Sequence, residues 1–269
     1  MITTDFVHGS PCWLDIGAPD VHATARFYSS VFGWEFQSMG SDPEVGEYGV
    51  FQLDGKGVCG IGPLTEQGAR SAWMIYFRTD DADATAQAAE RQGGTVRVAP
   101  SDADGWGRMA QLTDPQGGQF AVWQAGEKAQ GGMEVTDQPG ALCWTELYTT
   151  DAAAAKAFYG SLFGWTTQDM PLPGDGDGTY SLITPADQPE ERMHGGLMQL
   201  PAKDLSLTGG RPYWHPVFAT ADCDATVAKA TENGGSVQMG PEDAEGVGRL
   251  AVCVDPNGAD FVVLKPSEM

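Results

Sequence analysis

The chain has 269 residues, of which 41% are hydrophobic and 19% are charged, and its formal net charge is −22. This composition is typical of a globular protein with room for two ordinary domains, and it excludes a disordered chain. Because the negative field repels nucleic acids and anionic membrane surfaces, neither is expected as a partner.

No apolar run approaches the roughly 18 residues that a membrane-spanning helix needs, and the first residues lack the pattern of a secretory signal. The five cysteines form no CxxC pair. An odd number of cysteines indicates reduced, mostly buried thiols rather than a disulfide framework or a zinc site. We therefore expect a cytoplasmic protein, either a monomer or a homodimer.

The first predicted elements recur later in the chain. CWLDIGAPDVHATARFYSSVFGW begins at Cys12, and CWTELYTTDAAAAKAFYGSLFGW begins 131 positions later at Cys143, with ten of 23 positions identical. Each copy predicts a strand that carries a Trp and then a helix capped by an Asp, Asp20 or Asp151. The helices have apolar stripes at helical spacing and end at a glycine. In the first helix the apolar stripe is Ala25, Tyr28, Val31 and Phe32, and the helix ends at Gly33. In its counterpart the stripe is Ala155, Phe158, Leu162 and Phe163, and the helix ends at Gly164.

Further strands and a second helix follow in each half. YGVFQL and YSLITP, which begin at Tyr48 and Tyr180, are predicted strands. A second strand–helix segment begins at Ala72 and recurs 141 positions later, with helix stops at Gly93-Gly94 and Gly234-Gly235 and with DPQG and DPNG turns near its end. The second half has ten more residues, which fall around PLPGDGDG and TPADQPEERM and are predicted to form long loops.

Each half therefore contains a βαβββ module twice, which predicts an α+β protein of two tandem domains. The first domain spans 10–126, with modules at about 10–64 and 71–126. A linker spans 127–140. The second domain spans 141–266, with modules at about 141–200 and 211–266. Each pair of modules is expected to form curved mixed sheets around a cleft.

Paired βαβββ modules with a D…FY…FGW pattern and a closing GR…DPxG segment resemble the vicinal oxygen chelate superfamily of glyoxalases, extradiol dioxygenases and bleomycin-resistance proteins. The resemblance covers nearly the whole chain and is nearest to the tandem-domain branch labelled hydroxylase-like or glyoxalase-like. It implies a cleft between paired modules, with metal ligands on inward-facing strand positions. Because this fold hosts lyases, oxygenases and metal-free binders, it does not fix the function. Module one could share a cleft with module two or with module four.

Alternation along the strands predicts which side chains face the cleft. In the second modules a one-residue slip would reverse the faces, and we favour the register that keeps the helix side apolar. The residues then expected to bind a ligand are Trp13, Asp15, Met74, Tyr76, Trp123, Trp144, Glu146, Tyr148 and His215.

The positions at which the resemblance implies metal ligands are Trp13, Met74 and Ala121 in the first half and Trp144, His215 and Val262 in the second. A facial triad needs three converging donors, and neither set offers them. We therefore expect no metal and no cofactor, with a divalent metal as the alternative.

Three residues are the catalytic candidates, because Glu146, His215 and Asp260 could point into one cleft as a polar cluster or a displaced metal site. The competing interpretation is structural. In it Glu146 and its equivalent Asp15 satisfy buried backbone groups or pair with an arginine such as Arg78 or Arg249. His194, next to two glycines, is expected to be solvated.

The aromatic lining favours a flat, apolar or aromatic ligand. Our leading hypothesis is a metal-free small-molecule binder, for an antibiotic-like or biosynthetic metabolite, with a role in resistance, sequestration or an accessory biosynthetic step. The alternative is a glyoxalase-type lyase or a dioxygenase with an atypical site. A third interpretation is an interaction protein whose cleft is packed shut.

Overall fold

The computed structural model describes residues 1–42, 46–64, 66, 68–128, 132–172 and 178–267. Within these residues, sixteen strands and four α-helices form two mixed sheets of eight strands each. This confirms the α+β class and the two-sheet architecture expected from the sequence.

The first half supplies one sheet and two helices. Its strands are β1 (Pro11–Ala18), β2 (Glu35–Asp42), β3 (Gly46–Leu53), β4 (Lys56–Pro63), β5 (Ala72–Arg78), β6 (Thr95–Ala103), β7 (Gly107–Thr113) and β8 (Gln119–Ala125), and its helices are α1 (Val21–Phe32) and α2 (Ala82–Arg91).

The second half repeats this order. Its strands are β9 (Leu142–Thr149), β10 (Thr166–Pro171), β11 (Thr179–Thr184), β12 (Gly195–Gln199), β13 (Tyr213–Ala219), β14 (Ser236–Ala244), β15 (Gly248–Val254) and β16 (Asp260–Pro266), and its helices are α3 (Ala152–Phe163) and α4 (Cys223–Glu232). Of the two predicted long loops, the second contains a 3₁₀ turn at Glu190–Arg192. Most of the first, 173–177, lies outside the described residues.

The strand order is β2-β3-β4-β1-β5-β8-β7-β6 in the first sheet and β10-β11-β12-β9-β13-β16-β15-β14 in the second. Each sheet thus joins two modules: module 1 (β1–β4 with α1) and module 2 (β5–β8 with α2), then module 3 (β9–β12 with α3) and module 4 (β13–β16 with α4). Within each module the first strand is a neighbour of the last, and the last three strands form an antiparallel meander. The first and last strands run parallel, as in the pairing of Asp15 with Gly60.

The chain divides into two compact units, and these units combine the modules differently from the two sheets. Unit 1 comprises Met1–Trp13, Ile75–Gly132 and Trp144–Trp214, and unit 2 comprises Leu14–Met74, Met133–Cys143 and His215–Met269. Unit 1 contains α2 and α3 in contact, and unit 2 contains α1 and α4 in contact. Modules 1 and 2 therefore share a sheet, whereas modules 1 and 4 share a compact unit.

The helix boundaries follow from local chemistry. The side chains of Asp20, Asp81, Asp151 and Asp222 each accept a hydrogen bond from the backbone N–H of the third residue after them, which satisfies a donor of the first turn. Helices α1 and α3 end at a glycine in the left-handed region, as predicted. Helices α2 and α4 end slightly earlier than their predicted glycines, with Gln92 and Asn233 at the C-cap.

The Phe-Tyr and DPxG motifs of the repeat meet in the cores of the two units. In unit 1 the Tyr159 hydroxyl on α3 donates to Asp114 Oδ2 at 3.0 Å and accepts from Trp214 Nε1 at 2.9 Å. In unit 2 the Tyr28 hydroxyl on α1 donates to Asp255 Oδ2 at 3.3 Å. Because both tyrosines are buried, each hydroxyl needs the partner that the aspartate supplies.

Those aspartates also organise their own turns. Asp114 Oδ1 accepts three backbone N–H bonds at 2.9 Å, from residues 116, 117 and 118. Asp255 Oδ1 accepts two, from Asn257 and Ala259. One carboxylate therefore closes a tight turn and anchors a helix from the other half of the sequence. Burial raises the pKa of both carboxyls despite these bonds.

The Trp side chain of each Phe-Gly-Trp motif forms a hydrogen bond with the backbone just before β1 or β9. Trp165 Nε1 donates to the Gly9 carbonyl at 2.8 Å in unit 1, and Trp34 Nε1 donates to the Gly140 carbonyl at 2.7 Å in unit 2. Gly9 and Gly140 in turn donate backbone hydrogen bonds to the last residues of β5 and β13. The Phe-Gly-Trp motif, which both halves contain, therefore ties the end of a helix to the backbone before β1 or β9. This contact is called the Phe-Gly-Trp clamp.

The segment predicted as a linker packs in its described part, 132–140. Met133 and Val135 are buried, and Glu134 exchanges two hydrogen bonds with Gly57. All five cysteines are buried, and none forms a disulfide within the described chain. No helix among the described residues is long and apolar enough to cross a bilayer.

His194 is not solvated, and this expectation was wrong. Its side chain is 1% exposed and lies against Trp165 and Phe77 in the core of unit 1. Neither ring nitrogen has a hydrogen-bond partner among the described residues. Burial without a partner lowers the pKa of the imidazole to about 3. The two glycines that follow belong to a buried strand, β12, and not to a loop.

Removing a buried tyrosine hydroxyl tests the Tyr–Asp anchor, which is the hydrogen bond of Tyr159 to Asp114 in unit 1 and of Tyr28 to Asp255 in unit 2. We expect Tyr159→Phe to lower the free energy of unfolding by about 1–3 kcal/mol, because it strands both the Asp114 carboxylate and the Trp214 N–H. Tyr28→Phe should cost less, since its bond is longer. Thermal and urea unfolding measure both. Unchanged melting temperatures in the two variants would contradict the role assigned to the anchor.

The pH dependence of stability tests the burial of His194. The unfolded chain binds a proton at this imidazole near pH 6.5, whereas the folded chain binds it only near pH 3. The stability contribution is therefore complete above pH 6.5 and is lost as the pH falls toward 3. His194→Val, which copies Val58 of module 1, should raise the melting temperature at pH 5 relative to its effect at pH 8. A pH-independent difference would refute this.

Candidate functional site

Each sheet has one face covered by helices and one helix-free face. Leu14 and Ile16 in β1 and Thr145 and Leu147 in β9 are fully buried, so the intervening side chains point to the helix-free face. In β13 the Trp214 ring packs against Tyr159 on the helix side. In β5 Ile75 and Phe77 lie in the core. The structure thus has the favoured register, with Met74, Tyr76, Tyr213 and His215 on the helix-free faces.

On the helix-free face of module 3, three polar groups form a chain. Trp144 Nε1 donates to the Tyr180 hydroxyl at 2.8 Å, and that hydroxyl donates to Glu146 Oε1 at 2.6 Å. Burial, with the Glu146 charge second, raises the pKa of Tyr180 well above its ordinary value. The hydroxyl therefore stays protonated and acts as a relay between the indole and the carboxylate.

A glycine makes this chain possible. The Tyr180 ring crosses β12 directly over Gly196, where a Cβ would come within 2.2 Å of the tyrosine Cζ and hydroxyl oxygen. Gly196 is the register partner of Glu146 in the parallel pairing of β12 with β9. Any larger residue would displace the tyrosine from the carboxylate. The glycine is therefore part of the site.

A second aromatic pair flanks the chain. The Tyr148 and Tyr213 rings meet edge to face with centroids 5.6 Å apart, and both side chains are partly exposed. Tyr148 follows Glu146 on the same face of β9. The helix-free face of module 3 thus has an aromatic wall, formed by Trp144, Tyr148, Tyr180 and Tyr213, with the Glu146 carboxylate among these rings.

Module 1 repeats the carboxylate–tyrosine pair in unit 2. The Tyr48 hydroxyl donates to Asp15 Oδ1 at 2.7 Å, and a Cβ at Gly60 would fall within 2.1 Å of both groups. Sequence reasoning assigned Tyr48 and Tyr180 to strands without a role in the site. The signal that could have identified them is their equal place in the two copies, each before a strand with a glycine opposite the carboxylate.

In unit 2, His215 and Asp260 form a buried pair. His215 Nδ1 lies 2.9 Å from Asp260 Oδ2, and the exposed fractions of the side chains are 0% and 6%. They lie on the neighbouring parallel strands β13 and β16. The equivalent positions in module 2 are Met74 and Gln119, so the fold does not require the pair.

The three predicted catalytic candidates take part in two hydrogen-bonded groups. His215 and Asp260 pair in unit 2, whereas Glu146 belongs to unit 1 and bonds to Tyr180. Among the described residues, no three His, Cys, Asp or Glu side chains are grouped so that they could hold a metal.

The positions that the family resemblance assigns to metal ligands offer a poor donor set. The indole N–H of Trp144 is a hydrogen-bond donor to Tyr180, and the Val262 side chain has no donor atom. His215 shares its Nδ1 with a carboxylate. These side chains do not fit the three-donor arrangement of a divalent metal centre.

The hydroxyls of Tyr48 and Tyr180 bond to Asp15 and Glu146. Arg249, one of the arginines suggested for this role, bonds instead to Asp224 and Asp243. Of the other predicted ligand-binding residues, Trp13, Met74 and Trp123 are partly exposed and Tyr76 is buried.

Comparison with known proteins agrees with this architecture. Residues 13–123 match the model of the glyoxalase-like domain, and residues 141–263 match that of the glyoxalase/bleomycin resistance protein/dioxygenase superfamily. The anthracycline biosynthesis protein DnrV of Streptomyces peucetius is 40% identical over 98% of this chain and 96% of its own length. CFP32 of Mycobacterium bovis, whose name proposes a glyoxylase, is 34% identical over 98% and 97%.

Solved structures share the fold at low identity. The 2,2',3-trihydroxybiphenyl 1,2-dioxygenase of Sphingomonas wittichii superposes with a TM-score of 0.64 at 14% identity, over 96% of this chain and 91% of that one. The Mn(II)-bound glyoxalase of Novosphingobium aromaticivorans gives 0.61 at 16% identity, over 97% and 84%. The repeated modules, their sheet order and these matches together show that the chain belongs to the vicinal oxygen chelate superfamily, as a member with two tandem domains.

Proposed function

We propose that the protein binds a planar aromatic metabolite on the helix-free face of module 3, without a metal, in an accessory biosynthetic or resistance role. The observation that carries this proposal is the Trp144–Tyr180–Glu146 chain beside the Tyr148–Tyr213 pair. Aromatic rings with a few fixed polar groups are the usual lining of a site for a flat ligand.

Each part of the wall has a distinct task. The faces and edges of Trp144, Tyr148 and Tyr213 offer stacking and edge-to-face contacts, which contribute about 0.5–1.5 kcal/mol per pair beyond area burial. The Glu146 carboxylate accepts hydrogen bonds, so it would select a ligand hydroxyl over an ether or a hydrogen. Its orientation is held by Tyr180, so little conformational entropy is lost on binding.

The similarity to relatives supports the same class of ligand. The name of DnrV places that protein in anthracycline biosynthesis. Anthracyclines are fused aromatic ring systems with hydroxyl groups, which is the chemistry that this wall would recognise. The metal-free part of the proposal is supported by the donor set, since tryptophan and valine stand at positions where the family's metal enzymes have ligands.

Binding of 1,4-dihydroxyanthraquinone tests the proposal. We expect micromolar affinity by fluorescence titration, and Trp144→Ala should weaken it about tenfold through the loss of an aromatic contact. Tyr180→Phe should weaken binding less, because it frees the carboxylate without removing a ring. Trp106→Ala, at an exposed tryptophan in a β6–β7 turn, is the control and should bind as the wild type does.

Two results would contradict the proposal. One is the failure of the wild-type protein to bind any fused aromatic hydroxyquinone. The other, which would overturn its metal-free part alone, is a stoichiometric content of iron, zinc, manganese or nickel in the purified protein that is required for binding.

A second candidate function is proton-transfer catalysis of glyoxalase or dioxygenase type, and the buried His215–Asp260 pair favours it. The aspartate at Nδ1 holds the orientation of the imidazole, as a partner of a general base does. The pair is particular to the second half, whereas module 2 folds with Met74 and Gln119 in its place. A polar pair that the fold can do without is a reasonable site for chemistry.

Replacing the His215–Asp260 pair of module 4 by the residues found in module 2 tests this candidate function. The variant His215→Met/Asp260→Gln should fold, because module 2 carries this combination, and should keep its affinity for dihydroxyanthraquinone. If the pair is catalytic, the wild type should convert a hemithioacetal or catechol substrate with a pH-dependent rate, and the variant should lose that conversion. No turnover by the wild type, or equal turnover by the variant, would refute the catalytic role.

A further inference from the structure

Arg78 forms no ion pair with a carboxylate among the described residues, although the chain has 37 acidic and 15 basic residues. Its Nη1 is buried and has no hydrogen-bond partner among the described residues. Arg108 and Arg249, by contrast, each bond to two aspartates. These two arginines are partly exposed like Arg78, so the lack of an ion pair distinguishes Arg78 from arginines of similar burial.

The position of Arg78 is fixed by the backbone. It is the last residue of β5, its N–H donates to the Ser10 carbonyl, and its carbonyl accepts from the Gly9 N–H, each at 2.8 Å. Phe77 lies in the helix-side core, so the guanidinium belongs to the helix-free face of module 2.

Two aromatic side chains accompany Arg78 on this face. Trp123 is its register partner on the parallel strand β8, and Tyr76 precedes it by two residues on β5. The Trp123 indole lies across β7 over Gly107, where a Cβ would come within 2.5 Å of the ring. The glycine leaves room for the indole, which extends from β8 over β7 on the helix-free face.

The other half of the chain shows that this set is not needed for the fold. Module 4 has the same strand register, with Ala219 opposite Leu264. It therefore has Val217, Ala219 and Leu264 where module 2 has Tyr76, Arg78 and Trp123. A partly buried cation without a partner costs free energy that aliphatic residues would not. Because this cation is present in module 2 and absent from module 4, its presence indicates that it binds a ligand.

We propose that Arg78, Tyr76 and Trp123 bind the carboxylate, or a similar planar anion, of an aromatic ligand on the helix-free face of module 2. A guanidinium matches a carboxylate with two parallel hydrogen bonds, and the indole takes the ring that carries it. Because the net charge of −22 repels anions at long range, the local cation must supply the selectivity. The proposal goes beyond the function proposed for module 3 and does not depend on it.

Two matched probes test this site, 2-naphthoate and 2-naphthamide, which have the same ring and differ in charge. Calorimetric titration of the full-length wild type should show a preference for the naphthoate of about tenfold or more, as expected for a charge-assisted hydrogen bond. Arg78→Met should abolish that preference, and Arg78→Lys should keep part of it. Arg91→Met, at an exposed arginine of α2, should leave it unchanged.

A stability measurement separates binding from a structural role. If Arg78 serves a ligand, Arg78→Met should keep or raise the melting temperature, because it removes an unsatisfied buried group. Equal affinity of the wild type for the two probes, or a preference that survives Arg78→Met, would overturn the proposal. Trp144→Ala should not alter the naphthoate preference; if it abolished that preference, the anion would bind at module 3 and the proposal would again be overturned.

Discussion

The hydrogen bond between a helix tyrosine and the aspartate of a distant turn is the constraint on which the rest of the structure depends. Tyr159 bonds to Asp114 and Tyr28 bonds to Asp255, both inside apolar cores. Each bond joins a hydroxyl and a carboxylate inside an apolar core, where a buried polar group left without its partner costs about 1–3 kcal/mol. The two bonds therefore favour the pairing of module 2 with module 3 and of module 1 with module 4 in the cores. With the cores paired in this way, each sheet keeps one face free of helices, and that face is available for ligands.

The internal repeat also separates structural residues from functional ones. Features present in both halves, such as the aspartate caps, the Phe-Gly-Trp clamp and the Tyr–Asp anchor, explain the fold. The His215–Asp260 pair occurs only in the second half, and the Arg78–Trp123 pair only in the first. Each replaces an ordinary apolar or neutral pair at the same strand register. The carboxylate–tyrosine pair is shared by both halves, and it differs mainly in its aromatic surroundings, since Tyr148 and Tyr213 correspond to Gly17 and Ala72.

Much of this could be predicted from the sequence. Strand alternation placed Trp144, Glu146 and Tyr148 on one face, and the preference for an apolar helix side placed His215 opposite Trp214. The errors concern partners. Buried backbone or an arginine was expected beside Asp15 and Glu146, because charge is readable in a sequence, whereas the ability of a tyrosine to lie across a glycine on a neighbouring strand is not. His194 was expected in solvent because glycines follow it, but those glycines admit close strand packing.

The sequence by itself determined the repeat, the helix caps and the alternating faces, because each depends on residues a few positions apart. Only the tertiary structure decided which groups meet on the helix-free faces. Tyr180 and Glu146 are 34 positions apart, His215 and Asp260 are 45 apart, and each pair is joined by strand register. Arg78 was readable as a cation from the start. That it has no counter-ion within the described part of the chain is a property of its whole surroundings, which no local pattern encodes.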